Sequence, residues 1–495
     1  MKRVVKKVIE KKETSSSKNT SLSQYMPLIV KIIFASGLLF VTYLAFFQLG
    51  KSPMENWDEA WYADVTRNMM QTKQFFVMYW NEAMWLDKPP LYMWLSAMVA
   101  SIIGLSEFSV RVPSAISGII IVMLVAWFSY KNYGLVPAFL AFITLALNNV
   151  FVWRMRSGNI DILSALLILL VFLVQLSKTK YKYILLGLLF ALIYLARAQL
   201  VFLPIGIFIL HELLFERTGM IKRYKQYLLM IAVAVLPPAI WLYGGSLVSG
   251  PSFVNYFIYE SDHGVATVSL SQFNFDYFLY TYYSLQRRFT FVLIIGVLFA
   301  LWYIKDPKAF LMLLYGGALL IQLSFTERTN NWYLIPAMPF WSLLIAYGTY
   351  HVVKIFRNNL ILKVAILLVT SLLAYRTLTI NILPILDTSA NEKQTESSKV
   401  LHTLTEEGET IVRLDHLYPT TVYYTERKIL SSPDNVDGTT ELFISRKDVS
   451  VKVRDKSIKW LVGKNSDTDA VKKSVPEVQF KERKVNDEET ILEVQ

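Results

Sequence analysis

The apolar stretch LYMWLSAMVASIIGL, residues 91–105, decides how this chain is arranged in a membrane. At 1.5 Å per residue a helix over this stretch would cover about 22 Å, which is short for a hydrocarbon core of about 30 Å. Pro89 and Pro90 stand at its start and suit a helix that begins at the membrane surface. We therefore predict a re-entrant or juxtamembrane helix here and not a complete crossing.

Longer hydrophobic stretches recur on both sides of this segment. Candidate spans lie at 27–49, 107–130, 134–153, 160–177, 182–196, 198–214, 226–245, 289–304, 308–325, 332–353 and 361–380. The chain has 495 residues, 54% of them hydrophobic, with a mean hydropathy of +0.39, against about 45–50% apolar residues in a soluble domain. The sequence thus predicts an all-α polytopic membrane protein with about 11–13 spans.

Basic residues between the spans predict the orientation. If 91–105 does not cross, the basic connections fall on the same side as the basic N-terminus, which the positive-inside rule assigns to the cytoplasm. These connections contain Lys131, Lys178, Lys180, Lys182, Lys222, Arg223, Lys225, Lys305, Lys308, Lys354 and Arg357. We predict a disordered basic cytoplasmic tail at 1–26 and a transmembrane domain at 27–385. The first outer loop, 50–90, and the region 386–495 would then be extracytoplasmic, on a multi-pass protein of the cell membrane.

Charge and cysteine content exclude several classes of function. The net charge is +12, but the basic residues cluster between apolar spans, which favours a lipid bilayer as partner and disfavours nucleic acid. The chain has no cysteine, which excludes disulfides, thiolate catalysis and cysteine-ligated zinc.

The C-terminal region has the pattern of a small soluble α/β domain at 386–495. It combines a helical stretch near 391–407 with β-like runs. These runs are Thr410–Leu414, Thr421–Thr425, Lys459–Val462 and Thr490–Val494.

Two acidic positions in the first outer loop are candidates for chemistry. Asp58 and Glu59 lie at the start of a predicted helix, where Asn56 and Glu59 could form a capping box and Asp58 would be left for a base or metal-ligand role. Asp87 either caps the helix that follows or belongs to the same site. Lys88, beside it, either extends to the membrane surface or faces a substrate.

Arginines on the predicted outer side run against the positive-inside rule and therefore need anionic partners. They are Arg111, Arg154, Arg156, Arg197, Arg287, Arg288 and Arg328. A guanidinium binds phosphate with two parallel hydrogen bonds, although neighbouring acids or lipid headgroups would explain about half of these residues. Arg197, between two spans, is the strongest candidate for a functional cation.

The long outer loop 246–288 offers weaker candidates. Its aromatic side chains, such as those of Phe253 and Phe257, could stack on a sugar or cover a lipid tail, but a membrane aromatic belt is the commoner explanation. Glu260, Asp262 and His263 form a weak metal-like cluster.

The sequence from Trp57 to Ala115 resembles the glycosyltransferase C superfamily, specifically bacterial relatives of protein O-mannosyltransferases and of the lipid A aminoarabinose transferase. The matching residues are Asp58, Glu59, Tyr62, Ala63, Asp87, Lys88, Pro89, Pro90, Leu91, Tyr92 and Trp94. Asp161 resembles the second outer-loop acid of that family, and Thr326–Pro336 resembles its basic element before a Tyr-x-x-Pro. Arg197 stands where relatives often carry the lysine of a Leu-Thr-Lys-Gly turn.

The resemblance implies a glycosyltransferase C fold and transfer of one sugar, with inversion, from a polyprenyl-phosphate donor to an envelope lipid, glycan or protein. It implies that Asp58, Glu59, Asp87 and Lys88 are catalytic, with Asp58 as base. Further roles are donor-phosphate binding by Arg197, Arg156 and Arg328, and acceptor or sugar contacts by Asp161, Tyr62 and Tyr92. A divalent cation, Mg²⁺ or Mn²⁺, would be held by Asp58 and Asp161 in those members that use one.

Two other classes of protein fit parts of the pattern. A flippase or transporter of lipid-linked sugars is the main alternative, but such proteins usually carry charged groups near the membrane midplane. A membrane-anchored sensor or assembly protein would explain the C-terminal domain and leave the outer-loop carboxylates without a role.

Overall fold

The computed structural model describes residues 27–260, 273–285, 287–326, 330–386, 392–434, 436 and 439–495. The predicted tail 1–26, Arg328, Asp262, His263 and the side chain of Glu260 lie outside the described part.

Helices form the membrane part, and each predicted span coincides with one or two of them. They are α1 (Pro27–Phe46), α4 (Glu107–Tyr133), α5 (Leu135–Ala146), α6 (Asn149–Met155), α7 (Ile160–Gln175), α8 (Lys182–Ala196), α9 (Phe202–Phe215), α10 (Tyr224–Ser249), α13 (Arg288–Trp302), α14 (Pro307–Leu323), α15 (Met338–Ile355) and α16 (Leu360–Thr377). The short helices α11 (Ser252–Asn255), α12 (Asp276–Ser284) and α17 (Leu383–Leu386) connect them. A 3₁₀ turn, Ala198–Val201, follows α8, and another, Asn331–Ala337, precedes α15.

By length and composition, five helical stretches of the described residues could cross a membrane, or up to seven if two bent pairs count as spans. Four shorter apolar helices accompany them, among them α3 (Leu91–Ile103), formed by the stretch that decides the topology. With 13 residues, α3 is about 20 Å long and ends at Gly104, whose φ of +86° suits a residue without a side chain. The predicted multi-pass, mainly helical architecture is confirmed.

The first outer loop folds into helix α2 (Asp58–Thr72) and a hairpin of β1 (Met78–Trp80) and β2 (Ala83–Trp85). The predicted capping box is wrong: Trp57, with φ +70°, precedes the helix, and no side chain caps it. The Glu59 carboxylate instead accepts the Glu55 N–H at 2.6 Å, while the Asn56 amide oxygen faces Thr420. The Glu59 side chain is buried beside a cation, as described below. This explains why its carboxylate does not accept a hydrogen bond from the Asn56 N–H.

The C-terminal domain is a five-stranded mixed sheet with helices, as predicted. Its strands are β3 (Thr410–Arg413), β4 (Lys428–Ser431), β5 (Trp460–Lys464), β6 (Phe480–Lys484) and β7 (Glu489–Val494), in the order β4-β3-β5-β7-β6. Strands β4, β3 and β5 are parallel, while β7 is antiparallel to both β5 and β6. Its helices are α18 (Glu392–Leu404), α19 (Pro419–Thr425), α20 (Arg446–Arg454) and α21 (Asn465–Ser474).

The prediction of a strand at Thr421–Thr425 is wrong, because these residues form α19. Pro419 occupies the first helical turn, where its fixed φ favours helix. The helix packs on α2: the Arg67 guanidinium donates to the Tyr423 carbonyl at 2.6 Å and lies 5.0 Å from the Tyr423 ring centre. This tertiary contact overrides the β-propensity of the Thr-Val-Tyr sequence.

Candidate active site

Glu59 joins three separate segments of the chain. The Arg111 guanidinium binds its carboxylate with two hydrogen bonds, Nε to Oε1 at 2.7 Å and Nη2 to Oε2 at 2.9 Å. The Gly158 N–H donates to Oε1 at 2.6 Å, and a Cβ at Gly158 would come within 2.9 Å of Val110. Burial would raise the pKa of Glu59, but the Arg111 charge and the backbone donors outweigh it, so the pKa is lowered. The side chains of Glu59 and Arg111 are almost fully buried, so this ion pair fixes the first loop against α4 and α7.

Asp58, the residue before Glu59, begins a second and separate network of ion pairs. Asp58 is one-third exposed and pairs with Arg154 at 3.0 Å. The same Nη2 of Arg154 binds Asp161 at 2.7 Å, and the other oxygen of Asp161 binds Arg197 at 3.2 Å. Asp58, Arg154, Asp161 and Arg197 thus form one chain of alternating charges, which runs from an accessible carboxylate to a buried cation.

Aromatic rings hold both arginines of this network. The Arg154 guanidinium lies 5.2 Å from the ring centres of both Trp153 and Trp332. Arg197 lies 4.9 Å from the Tyr333 ring centre. Such contacts fix the planar guanidinium groups in orientation.

The remaining first-loop candidates converge on Tyr62. Burial raises the pKa of this tyrosine, and the carboxylates of Asp58, Asp87 and Asp161 raise it further, so all three lie within electrostatic range of its hydroxyl. The Tyr62 ring packs between those of Trp85 and Tyr92. Three segments distant in sequence thus each carry a carboxylate that acts electrostatically on Tyr62.

Asp87 and Lys88 form an ion pair at the edge of this group. The distance from Lys88 Nζ to Asp87 Oδ1 is 3.2 Å, with the Asp87 side chain about half exposed and that of Lys88 mostly buried. Asp87 does not cap α3, because the residue before that helix is Pro90 and no side-chain cap is formed.

Arg197 lies in the wall of a cavity of about 440 Å³. Gln199, Gln322 and Tyr333 also line it, and the other lining residues are apolar. The apolar residues are Leu200, Phe202, Leu203, Ile258, Leu319, Leu323 and Pro336. The cavity wall therefore combines one cation with apolar side chains that could contact hydrocarbon.

Four other candidates have mainly structural surroundings. The Arg156 guanidinium donates to the Leu44 carbonyl at 2.8 Å and so holds the turn before α7 against α1. The buried Tyr92 hydroxyl donates to the Val110 carbonyl at 2.8 Å. Phe253 and Phe257 are buried against Trp241, away from solvent.

The described residues do not fit a resident divalent ion. Nowhere in the part of the chain that the structure describes do three or more histidines or acids come together as a metal site. Asp58 and Asp161, the proposed ligands, are bridged by the Arg154 guanidinium, and Arg197 also pairs with Asp161, so two cations already balance the two carboxylates. No step below is assigned to a metal.

Sequence reasoning missed Arg154 as the centre of the network and Glu55 beside it. Arg154 was only one of several arginines predicted to face outward, and no motif in the sequence pointed to Glu55. The Trp153 indole N–H donates to Glu55 at 2.5 Å. Burial, followed by the Glu59 charge, raises the pKa of Glu55 to about 7.

Comparisons with known proteins agree with this architecture. Residues 87–241 match the family model described as dolichyl-phosphate-mannose-protein mannosyltransferase. The putative mannosyltransferase YycA of Bacillus subtilis (strain 168) is 30% identical over 152 residues, which cover 30% of this chain and 22% of that protein. The chain spans no more than a quarter of the length of the first curated relatives it matches.

Two solved structures extend the likeness to most of the chain. ArnT from Cupriavidus metallidurans bound to undecaprenyl phosphate has a TM-score of 0.74 and 13% identity, covering 93% of this chain and 97% of that one. The oligosaccharyltransferase AglB from Archaeoglobus fulgidus, in complex with an inhibitory peptide and a dolichol-phosphate, has a TM-score of 0.58 and 13% identity, covering 88% and 69%. The predicted class of enzyme, a glycosyltransferase, agrees with these names. The chain therefore has the glycosyltransferase C fold over nearly its whole length, with a segment similar to the mannosyltransferase family at residues 87–241.

Proposed function

We propose that this protein is a membrane glycosyltransferase that moves one sugar from a polyprenyl-phosphate donor to an acceptor of the cell envelope, on the extracytoplasmic face. The observation that carries the proposal is that Arg197 lines a cavity whose other lining residues are mostly apolar. A lipid phosphate has the complementary form, with an anionic head and a hydrocarbon tail. The polyprenyl phosphates bound to the solved neighbours support this choice of donor.

In this proposal the charge network links the residue that activates the acceptor to the residue that binds the donor phosphate. Asp58 lies at its accessible end and Arg197 at its cavity end, with Arg154 and Asp161 between them. In a single displacement, the acceptor oxygen or nitrogen attacks the anomeric carbon while the bond from that carbon to the phosphate oxygen breaks. Asp58 takes the acceptor proton, and the leaving phosphate keeps the electron pair, neutralised by Arg197 and Lys88. One displacement inverts the anomeric centre.

The other predicted site residues have supporting roles in this proposal. Asp161 orients Arg154 and Arg197, and Glu59 holds the first loop through Arg111. Tyr62, which feels the charges of both Asp58 and Asp87, and Asp87 itself would contact the acceptor or the transferred sugar. Arg156 and Tyr92 are positioning residues, since the polar groups of both bond neighbouring helices and turns.

Transfer and transport are distinguished by the fate of the donor. Purified protein supplied with a polyprenyl-phosphate sugar and envelope acceptors should release free polyprenyl phosphate in equal amount to the glycosylated product. Asp58→Asn should abolish both. Movement of intact donor across the bilayer without cleavage, for every sugar tested, would identify a transporter instead.

The phosphate assignment is tested at Arg197. Arg197→Lys keeps the charge but loses the planar fork, so turnover should fall and the donor KM should rise, with Arg197→Ala more severe still. Arg287→Ala is the matched control, because Arg287 is an exposed arginine that pairs with the Tyr283 ring. Unchanged donor KM and turnover in Arg197→Ala would contradict the assignment.

A further inference from the structure

A second cavity lies between the first outer loop and the C-terminal domain. Its volume is about 470 Å³, and its wall includes Asn56, Arg413, Lys464 and the β6–β7 turn at Asp487 and Glu488. We name this cavity the β3/β5 crevice, because Arg413 ends β3 and Lys464 ends β5. It is separate from the cavity that Arg197 lines.

The sheet topology explains why a crevice forms there. β3 is a central parallel strand, with β4 on one side and β5 on the other. The connection after β3 leads to β4 on one side of it. The connection after β4 then leads to β5 on the other side of β3. In open α/β sheets, ligands bind outside the carboxyl ends of the strands at such a reversal of strand order. The crevice occupies this position.

The floor of the crevice is built from fixed side chains. Arg413 is only 3% exposed, and it pairs with Asp415 at 2.6 Å and with Glu489 at 2.5 Å. The Arg413 guanidinium also lies 4.6 Å from the Tyr418 ring centre. Burial of a paired guanidinium in this way gives the surrounding carboxylate oxygens fixed positions.

The charge of the wall indicates the chemistry of the ligand. Five carboxylates line the crevice and only two cations, Arg413 and Lys464. The carboxylates belong to Glu396, Asp415, Asp487, Glu488 and Glu489. Carboxylates accept hydrogen bonds from hydroxyl and ammonium groups and repel anions. A bare metal ion is not indicated, since the described residues contain no cluster of three or more metal-ligating side chains.

One residue in the wall of the crevice lies close in sequence to the accessible carboxylate of the charge network. Asn56 lines it and precedes Asp58 by two residues, a distance that the backbone spans in at most about 7 Å. Between them Trp57, half exposed, places its ring 6.3 Å from that of Tyr418. A sugar-sized ligand in the crevice could therefore reach Asp58.

We propose that the β3/β5 crevice binds the acceptor, and that the bound part is a hydroxyl-rich glycan that is uncharged or carries an amine. This inference rests on the proposed function, because it assigns to the C-terminal domain the substrate from which Asp58 takes a proton. It excludes an acceptor whose bound part is anionic.

The test uses three small glycosides as probes of the full-length protein in lipid nanodiscs: methyl glucoside, methyl glucosaminide and methyl glucuronide. Binding is measured by ligand-observed NMR. The neutral and amine-bearing glycosides should bind and the glucuronide should bind at least tenfold more weakly. The double variant Asp487→Lys and Glu488→Lys should reverse the order of the glucosaminide and the glucuronide.

The control is a second double variant on the same domain, Asp469→Lys and Glu477→Lys. These exposed residues pair with Lys472 and Arg454, away from the crevice, and their replacement changes the net charge equally. The order of the probes should stay as in the wild type. An unchanged order in the Asp487 and Glu488 variant, or reversal in both variants, would overturn the inference.

Donor binding is measured separately, as the shift in melting temperature caused by undecaprenyl phosphate. If undecaprenyl phosphate stabilises the protein while the crevice variant leaves the glycoside order unchanged, the inference is wrong and the proposed function stands. If the glycosides bind as expected and undecaprenyl phosphate has no effect at any concentration, the proposed donor is wrong.

Discussion

At the residue scale, two adjacent carboxylates have different surroundings because the helix turns them to different faces. Glu59 is buried against Arg111, while Asp58 is accessible and pairs with Arg154. Glu59→Gln leaves the Arg111 charge buried without its partner, which typically costs about 3–5 kcal/mol. We expect a large fall in melting temperature for this variant. Asp58→Asn, its matched control, should melt near the wild-type temperature while losing turnover, and equal melting temperatures for both variants would contradict this distinction.

Glu55 provides a prediction about pH. Its pKa of about 7 in the folded protein lies above the ordinary value of 4.5, because of burial and the Glu59 charge. Between these two values the folded form holds a proton that the unfolded form has released. Stability should therefore fall as pH rises from 4.5 to 7, by about 3 kcal/mol in total, and change no further above 7.

Glu55→Gln should remove this part of the pH dependence, as measured by melting curves from pH 5 to 8. Only the difference between wild type and variant is informative, because other groups titrate as well. Parallel curves would show that Glu55 does not titrate in this range.

The residue types of the site were predictable from sequence, but their pairing was not. Asp58, Asp161 and Arg197 were all identified, each from its own local motif. The residue that joins them, Arg154, lies 96 positions from Asp58. Such a contact depends on how α2 and α6 pack, and no local pattern records that packing.

At the scale of elements, α19 connects the C-terminal domain to the helix that carries Asp58. The Tyr424 hydroxyl accepts the Met54 N–H at 2.7 Å and donates to Glu107 at 2.8 Å. Tyr424→Phe leaves the buried Met54 N–H without an acceptor, at a cost of about 1–3 kcal/mol. We expect a lower melting temperature and a higher acceptor KM, because the loop before Asp58 is no longer held.

Tyr423→Phe is the control for this variant, since it keeps the ring beneath Arg67. It should have the wild-type acceptor KM. A wild-type KM and melting temperature in Tyr424→Phe would show that α19 does not position the loop.

Elements were predictable where their pattern is long and regular. The apolar spans gave the helices of the membrane part, and Asn159 caps α7 at the predicted start of a span. The hairpin β1–β2 was missed, because strands of 3 residues are too short to show an alternating pattern. Asn81 and Glu82, both with positive φ, form its turn.

At the scale of the whole molecule, the orientation in the membrane is the main prediction from the basic loops. The chain has no native cysteine, so single cysteines report their own exposure. Asp87→Cys should react with a membrane-impermeant thiol reagent added outside intact cells, while Lys180→Cys should react only after the cells are opened. Both positions are exposed to at least an intermediate degree, so burial would not explain a negative result. The opposite pattern would place the candidate active site in the cytoplasm.

The contact between the hairpin turn and strand β4 has a consequence for association between molecules. β4 is an edge strand, and the Asn81 amide forms two 2.8 Å hydrogen bonds with the backbone of Ile429, as a neighbouring strand would. The opposite edge, β6, carries Lys481, Glu482, Arg483 and Lys484, charges that discourage strand pairing. The first outer loop thus covers part of the β4 edge, whose single charged residue is Lys428, and shields it from self-association. A fragment of residues 386–495 would lack that shield and should be prone to aggregate through β4, whereas the intact chain would not.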